Sequence, residues 1–394
     1  MTADTTRPVR RPRDRKAQLA TAAADLFRKR GYHAVGVNDI AAAVGITGPG
    51  MYRHFQNKQA VLGYVLLTGV DGLAARLGAV LDGFTDPESG LRPLLLTAAE
   101  TAIDHRDLTA LWRWQGRHLH QADQKEVIRR TGVLLGGWQS GLRALRPELT
   151  DRDALLLCFA ALSVFGSIGD HHAAPPRDRF VPLLADLAES IVRSPVPTSD
   201  AAPSRPRPPV AASRREELLS AATRLFREHG FHAVSMEDIG AAAGIAGPSI
   251  YRHFTGKSDI LLAASRRMAD RLALGLADSL AAATSPRDAL HRLARSYVDT
   301  VLRSDDLIAV YANEIGNLPE RDAKELRRLQ RGYVAEWVRL LREVTPALDE
   351  AEARVVVQAA LTVVNDLPRT RGVNDRPGLA DELTAIAVGL LETP

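Results

Sequence analysis

Apolar residues recur along the chain at the spacing of an α-helix. Residues at i, i+3, i+4, i+7 and i+8 lie on one face of a helix. The first segment with this spacing carries Leu19, Ala22, Ala23, Leu26 and Phe27. The alternation typical of a β-strand is almost absent from the sequence. The pattern therefore predicts an all-α fold.

The chain also contains a long internal repeat. Residues 15–62 align without a gap with residues 214–261, which lie 199 positions later, and about half of the aligned positions are identical. The same offset continues more weakly downstream, where Trp138 meets Trp337 and Pro147 meets Pro346. We therefore expect two similar halves, and we call residues 15–62 the first head and residues 214–261 the second head.

The composition between the halves indicates a linker. Residues 195–213 are rich in Pro, Ser and Ala and poor in large apolar residues, as is typical of an extended connection. The expected domains are a basic disordered arm (1–14), the first head (15–62), a first helical domain (63–194), the linker (195–213), the second head (214–261) and a second helical domain (262–394).

Each head has the pattern of a helix-turn-helix, two short helices joined by a tight turn. A small residue where the helices cross, a glycine in the turn and an apolar residue that returns to the core are expected. In the first head these are Ala41, Gly45 and Met51, and in the second head Gly240, Gly244 and Ile250.

Capping residues differ between the copies. Thr47 can cap the second helix of the motif and leaves Pro49 in the first turn, where a missing N–H costs little. Its counterpart Ala246 cannot cap in this way. Ser213 with Glu216 forms a candidate capping box at the start of the second head.

Positive charge is concentrated in the first head. The net charge of the 394 residues is +4, but residues 1–62 carry eleven Lys or Arg and four acids, whereas residues 204–261 carry eight and six. Such a cluster is typical of a polyanion-binding surface, although a solvated basic tail has the same composition. The arm would lie along DNA phosphates or the minor groove. Its cations are Arg7, Arg10, Arg11, Arg13, Arg15 and Lys16.

Other features favour a soluble, non-enzymatic protein. The single cysteine, Cys158, lies in an apolar run. We expect neither a signal peptide nor an apolar run long enough to span a bilayer. We expect a cytoplasmic protein. No phosphate loop, nucleophile elbow or metal-ligand spacing is found, so we expect no cofactor and no metal.

The end of each motif carries donors for phosphate oxygens. Tyr52, His54 and Lys58 can donate to the DNA backbone, and Arg53 is long enough to reach the backbone or a base edge. The same residue types recur in the second head as Tyr251, Arg252, His253 and Lys257. Phe55 is expected to be a core aromatic.

These residues resemble the DNA-binding domain of the TetR family of bacterial transcriptional regulators, and the resemblance occurs twice. The chain also resembles the uncommon members with two fused halves, including a regulator of a mammalian-cell-entry lipid-uptake operon. The resemblance implies phosphate contacts from the tyrosine, histidine and lysine named above. It also implies that the start of the recognition helix faces the bases, namely Gly48, Pro49 and Gly50 in the first head and Gly247, Pro248 and Ser249 in the second.

The two heads differ at positions expected to read bases. Asn38, which the resemblance places within reach of the groove, is matched by Glu237, and Gly50 is matched by Ser249. The phosphate-binding residues are unchanged. We therefore expect a repressor that binds an asymmetric operator; an adaptor protein with vestigial heads is the alternative.

The resemblance also implies a four-helix bundle and an effector pocket. Residues 154–169 with 180–192, and 353–367 with 378–391, would pair within one chain as an internal pseudo-dimer, and a homodimer with four heads remains the alternative. A small apolar effector such as a lipid or its CoA ester is implied. Candidate pocket residues are Trp112, Trp114, Gln115, His118, Tyr311 and Asn313.

Overall fold

The structure, a computed structural model, describes residues 13–83, 86–197, 213–245 and 247–393. Within these ranges the side chains of residues 13, 14, 110, 112–115, 117, 247, 248 and 305 are not described. Most of the predicted arm and of the linker therefore lies outside the described residues. The first helix begins at Arg13, two residues inside the segment predicted as an arm.

The described residues are almost entirely helical and include no β-strand, which confirms the predicted all-α fold. The first half contains α1 (Arg13–Arg30), α2 (Val37–Ala43), α3 (Gly48–Met51), α4 (Lys58–Leu81), α5 (Pro87–Asp104), α6 (Arg106–Gln115), α7 (Gln121–Leu145), α8 (Asp151–Ser167) and α9 (Arg177–Arg193). The second half contains α10 (Arg214–His229), α11 (Met236–Ala242), α12 (Lys257–Ala282), α13 (Pro286–Arg303), α14 (Asp305–Asn313), α15 (Glu320–Val344), α16 (Glu350–Asp366) and α17 (Leu379–Glu392).

The chain divides into two compact units. One contains the described residues up to 79 together with residues 104–136, and the other contains residues 80–103 and 137–393. The first unit thus holds the first head with α6 and most of α4 and α7. The second unit holds the second head, the whole second helical domain and the remaining helices of the first half.

The second unit contains a bundle to which both halves contribute helices. α8 packs against α9 and α16, α16 packs against α17, and α17 contacts α9. The apolar faces of α8 and α16 are closed to solvent, with Leu157 and Val164 on one helix and Val356 and Val363 on the other fully buried. Burial of apolar area is the main favourable term in such packing.

Ion pairs cross the bundle in both directions. The carboxylate of Asp153 in α8 accepts a hydrogen bond from the guanidinium of Arg376, in the second half, with an N–O distance of 2.5 Å. Its counterpart in α16, Glu352, pairs with Arg179 of the first half, also with an N–O distance of 2.5 Å. Both acids are also the third residue of a capping box at the start of their helix. The two acids are counterparts in the repeat, whereas Arg376 corresponds to Arg177 and not to Arg179. The contacts are therefore only approximately reciprocal, as at an imperfect two-fold interface.

α4 is long enough and apolar enough to cross a membrane by length and composition, so the expectation that no apolar run reaches that length was wrong. In the structure α4 contributes Val61, Leu62 and Leu66 to the core of the first head. One helix of this kind is weak evidence for a membrane span, because the core helix of a soluble protein has the same composition.

We predict that the pair across the bundle is needed for stability. Arg376 is only 8% exposed and also contacts Glu382, which is 4% exposed, so the variant Arg376→Met leaves one buried carboxylate and the half-buried Asp153 without their cation. The free energy of unfolding should fall by about 3–5 kcal/mol. The matched control is Arg152→Met, which breaks an exposed pair with Asp375 and should cost less than about 1 kcal/mol in urea unfolding. Equal losses in the two variants would contradict the prediction.

The same pair predicts a dependence on pH. Burial alone would raise the pKa of Asp153, but hydrogen bonds from Thr150 and Arg376 hold it below its ordinary value. A carboxyl whose pKa is lowered by folding contributes stability above its unfolded pKa of about 4 and loses that contribution as the pH falls. The wild type should therefore lose more stability than Arg376→Met when unfolding is measured at successively lower pH below 4.

Candidate nucleic-acid interface

The turn of each head has the predicted glycine geometry. Gly45 has φ +71° and Gly244 has φ +66°, in the left-handed region that side chains rarely adopt. Met51 and Ile250 are fully buried, as expected of residues that return to the core.

The start of the recognition helix differs between the heads. In the first head the Thr47 hydroxyl accepts a hydrogen bond from the Gly50 N–H at 3.4 Å, and an α-helical turn, α3, follows. This confirms the predicted cap. In the second head the matching segment, Gly247–Arg252, forms a 3₁₀ helix instead. Ala246 lies outside the described residues.

Two of the expected DNA-contacting side chains, a tyrosine and the arginine after it, lie at the surface in both heads. Tyr52 is 57% exposed and Tyr251 is 51% exposed, which is unusual for a tyrosine. Arg53 and Arg252 are exposed as well. The phenylalanines that follow, Phe55 among them, are buried and belong to the core. The protein therefore presents an aromatic hydroxyl and a guanidinium side by side, a pair that can donate to phosphate oxygens.

The lysine that follows has a structural role that the sequence analysis missed. Lys58 Nζ donates to the carbonyl oxygens of Tyr32 at 2.7 Å and Val35 at 2.8 Å. In the second head, Lys257 donates to the carbonyl oxygen of Phe231 at 2.8 Å, and burial lowers the pKa of both lysines. The ammonium groups hold the loop between the first two helices of each head. Lys257 also donates to two further carbonyl oxygens of the same loop, so its three N–H groups all have acceptors. A phosphate contact stays a prediction for both lysines, and only Lys58 has an N–H left for it.

The basic residues of α1 are only partly described. The Lys16 ammonium lies 5.2 Å from the centroid of the Phe55 ring and 4.6 Å from that of Tyr64. It covers the aromatic core of the head while staying exposed. The side chain of Arg13 lies outside the described residues, so a DNA contact from it remains a prediction. His54 is half-buried, whereas His253 is exposed.

A polar side chain lies against the recognition helix of the first head. A Cβ added at Gly48 would collide with Oδ1 of Asn38, so a larger residue there would displace the Asn38 amide from its present position. Asn38 itself is exposed, as is its counterpart Glu237. An amide and a carboxylate thus occupy the same exposed position in the two heads. The side chains of Gly247 and Pro248 are not described, and Ser249 is half-buried.

Each head is joined to the following helices by the same ion pair. Arg28 of α1 pairs with Asp107 of α6, and 199 positions later Arg227 of α10 pairs with Asp306 of α14. Both residues of the first pair recur 199 positions later as the same residue types. Comparison of the two halves could therefore have revealed these pairs from the sequence. They connect the DNA-contacting part of each half to its helical domain.

The predicted effector residues do not converge on one described cavity. His118 stacks on Tyr32 with ring centroids 4.8 Å apart, so it packs against the first head. Tyr311 is buried, and the Asn313 amide donates to the backbone oxygen of Ala309. The side chains predicted for the first half, Trp112, Trp114 and Gln115, lie outside the described residues. One cavity among the described residues lies elsewhere, lined by residues between 81 and 192.

Comparison with known proteins identifies the heads. Residues 19–65 and 218–264 both match the family model of the bacterial regulatory proteins of the tetR family, and residues 283–391 match that of the tetracyclin repressor-like C-terminal domain. The chain is 32% identical over 145 residues to the transcriptional repressor KstR2 of Mycolicibacterium smegmatis, an alignment that covers 36% of this chain and 69% of the relative. The chain belongs to the TetR family.

Two further proteins are similar to parts of this chain. The transcriptional activator FasR of the same organism is 27% identical over 165 residues, which cover 42% of this chain and 74% of that protein. A TetR-family regulator from Bordetella parapertussis superposes with a TM-score of 0.43 at 21% identity, over 46% of this chain and 95% of its own. TetR proteins are not enzymes. This chain is therefore a DNA-binding transcriptional regulator with two DNA-binding heads in tandem.

We predict that Gly48 acts on DNA affinity through Asn38. The variant Gly48→Ala should displace the Asn38 amide and weaken binding to the operator by about 1–3 kcal/mol, the range of one good base contact. Affinity would be measured by fluorescence anisotropy on a duplex selected from random sequences. In an Asn38→Ala background, Gly48→Ala should have little further effect. Losses that add in the double variant would contradict the prediction.

Proposed function

We propose that this TetR protein acts as a single-chain regulator whose two halves replace the two subunits of a dimer. The observation that carries the proposal is the bundle of α8, α9, α16 and α17, in which apolar faces from both halves are buried against each other. Arg376 with Asp153 and Arg179 with Glu352 support it further, because they relate the halves in an approximately reciprocal way. A face already covered within the chain is not free to recruit a second copy.

The protein binds an asymmetric operator. Both heads expose the tyrosine and arginine that grip the backbone, which supports similar affinity for phosphates from each. Asn38 and Glu237, however, offer different chemistry at one exposed position: an amide pairs with adenine, whereas a carboxylate accepts from the amino group of cytosine. The different helix type at Gly247–Arg252 gives a second reason to expect different readout.

The regulator acts in the cytoplasm as a repressor that a small apolar effector, a lipid or acyl-CoA-like molecule, releases. Repression is favoured because two heads bound across a promoter obstruct the polymerase. One ion pair links each head to its helical domain: Arg28 with Asp107 in the first half and Arg227 with Asp306 in the second. These pairs support a route by which conformational changes in the helical domains reach the heads. The retention of exposed phosphate-binding residues in both heads disfavours an adaptor with vestigial heads.

We predict unequal recognition of the two half-sites. The wild type should bind its selected operator at least tenfold more tightly than a palindrome made from either half-site, since two mismatched bases cost about 1–3 kcal/mol each. Glu237→Asn should weaken binding to the native operator and improve binding to the palindrome of the half-site read by the first head. Glu100→Gln, an exposed acid of α5, is the control of equal charge change. Equal affinity for operator and palindromes would refute the asymmetry.

A further inference from the structure

Basic side chains cover one face of α15, in the unit that contains the second head. Their spacing of three, three, one and three positions places them within about a third of the helix circumference. We call them the basic row, and all are exposed: Arg321, Lys324, Arg327, Arg328 and Arg331. Glu320, in the first turn, is an acid on the same face. The face is therefore strongly basic.

The cations of the basic row have no ion-pair partner among the described residues. Neighbouring acids of the same helix are already engaged, because Asp322 and Glu325 both pair with Arg266 of α12, at 3.3 and 3.6 Å. Further along α15, by contrast, Arg339 pairs with Glu336 at 3.0 Å. Like charges one helical turn apart repel each other. An anionic partner would relieve this repulsion.

The repeat provides an internal comparison, because the matching face of α7 in the first half is not basic. Three of the matching positions carry no charge: Ala122, Ile128 and Gly132. At a fourth, Arg129 donates two hydrogen bonds of 2.8 Å to Glu126 of its own helix. The fifth is Lys125. The same helix thus forms without a basic row, so the fold does not require these cations.

The basic row begins beside the second head. Arg266, which pairs with Asp322 in the first turn of α15, lies nine residues after Lys257, the first residue of α12. Nine residues of α-helix span about 14 Å. The next residue of α12, Arg267, pairs with Glu216 at the start of α10. α12 therefore fixes the basic row and the head to each other.

The second head has fewer cations of its own for DNA phosphates than the first head. Residues 204–261 carry eight Lys or Arg and six acids, whereas residues 1–62 carry eleven and four. The Lys257 ammonium group is also occupied by three carbonyl oxygens. Neutralisation of phosphates supplies much of the affinity of a protein for DNA. A basic surface beside this head would add phosphate contacts that the head lacks.

We propose that the basic row binds phosphates of the duplex that continues beyond the half-site of the second head, and that the first half makes no such contact. The chain then covers more DNA on one side of its operator than on the other. This one-sidedness rests on the proposed function, in which a single chain places one second head on each operator. It does not depend on a difference in sequence between the half-sites.

The dimensions of the basic row favour duplex DNA over an acidic protein segment. From Arg321 to Arg331 the helix rises about 15 Å, and successive phosphates of one strand lie about 3.4 Å apart along the DNA axis. The row therefore matches about four phosphates. Most of its cations are arginines, which bind phosphate through two N–H groups at once. Flanking duplex reaches the row by curving toward the helical domain, and DNA bends in this way over about 20–30 base pairs.

The test measures how operator affinity of the full chain depends on salt concentration. Three duplexes share one selected operator: a core duplex that ends with the operator, and two that extend it on one side or on the other by about 20 base pairs. The wild type should bind one extended duplex more tightly than the core duplex. On that duplex the slope of log K against log salt should be steeper by about 2–4, as expected for that number of added phosphate contacts.

A charge-matched pair of variants locates the contact. Arg328→Gln combined with Arg331→Gln should make the slope on the preferred extended duplex shallower by about 2 and leave binding to the core duplex unchanged. The control combines Arg303→Gln with Arg371→Gln, since both are exposed arginines of the same unit that lie outside the basic row and have no ion pair among the described residues. The control should bind every duplex as the wild type does.

Folding of the row variant is followed by thermal melting. It should melt as the wild type does, because glutamine and arginine have similar helix propensities. If it melts lower, Arg321→Gln combined with Lys324→Gln at the other end of the row takes its place and should show the same loss of slope.

The possible outcomes separate the contact from the proposed function. Equal slopes for the wild type and a folded row variant on every duplex would overturn the proposal and point to an acidic protein as the partner. Loss of slope on both extended duplexes would overturn the one-sidedness. If light scattering then shows two chains on each duplex, the single-chain account has failed, whereas the phosphate contact of the basic row stands.

Discussion

The burial of α8 against α16 is the interaction on which the remaining structure depends. Each helix has an apolar face too extensive to leave in water, and here the covering face comes from the other half of the same chain. An ion pair with the other half at the start of each helix fixes how the two helices are aligned. Once the halves are joined in this way, the two heads no longer have to be identical, since each is encoded separately.

The two heads share some residues and differ at others, and the differences are not spread evenly. The elements that build a head recur: the turn glycines, the lysine that holds the first loop, and the ion pair from Arg28 or Arg227 to the following helices. The residues proposed to face the DNA bases, Asn38 and Glu237 among them, have diverged. The repeat therefore preserves what builds each head, while the proposed recognition surfaces differ.

Periodicity and turn chemistry predicted the helices, the glycine turns and the Thr47 cap, because these depend on residues within one or two helical turns. The partners of long side chains were not predictable in the same way. Lys58 was expected to bind phosphate but also reaches two carbonyl oxygens more than twenty residues away, and Glu216 pairs with Arg267 although a local capping box was expected. A flexible side chain finds its partner only after distant helices have packed.

The most direct test of the single-chain account is the mass of the protein–DNA complex, measured by light scattering or analytical ultracentrifugation on a duplex that contains one complete operator. The account predicts one 42.7 kDa chain per duplex, with both heads bound and no change in stoichiometry as the protein concentration rises. Two chains per duplex, bound cooperatively, would contradict it.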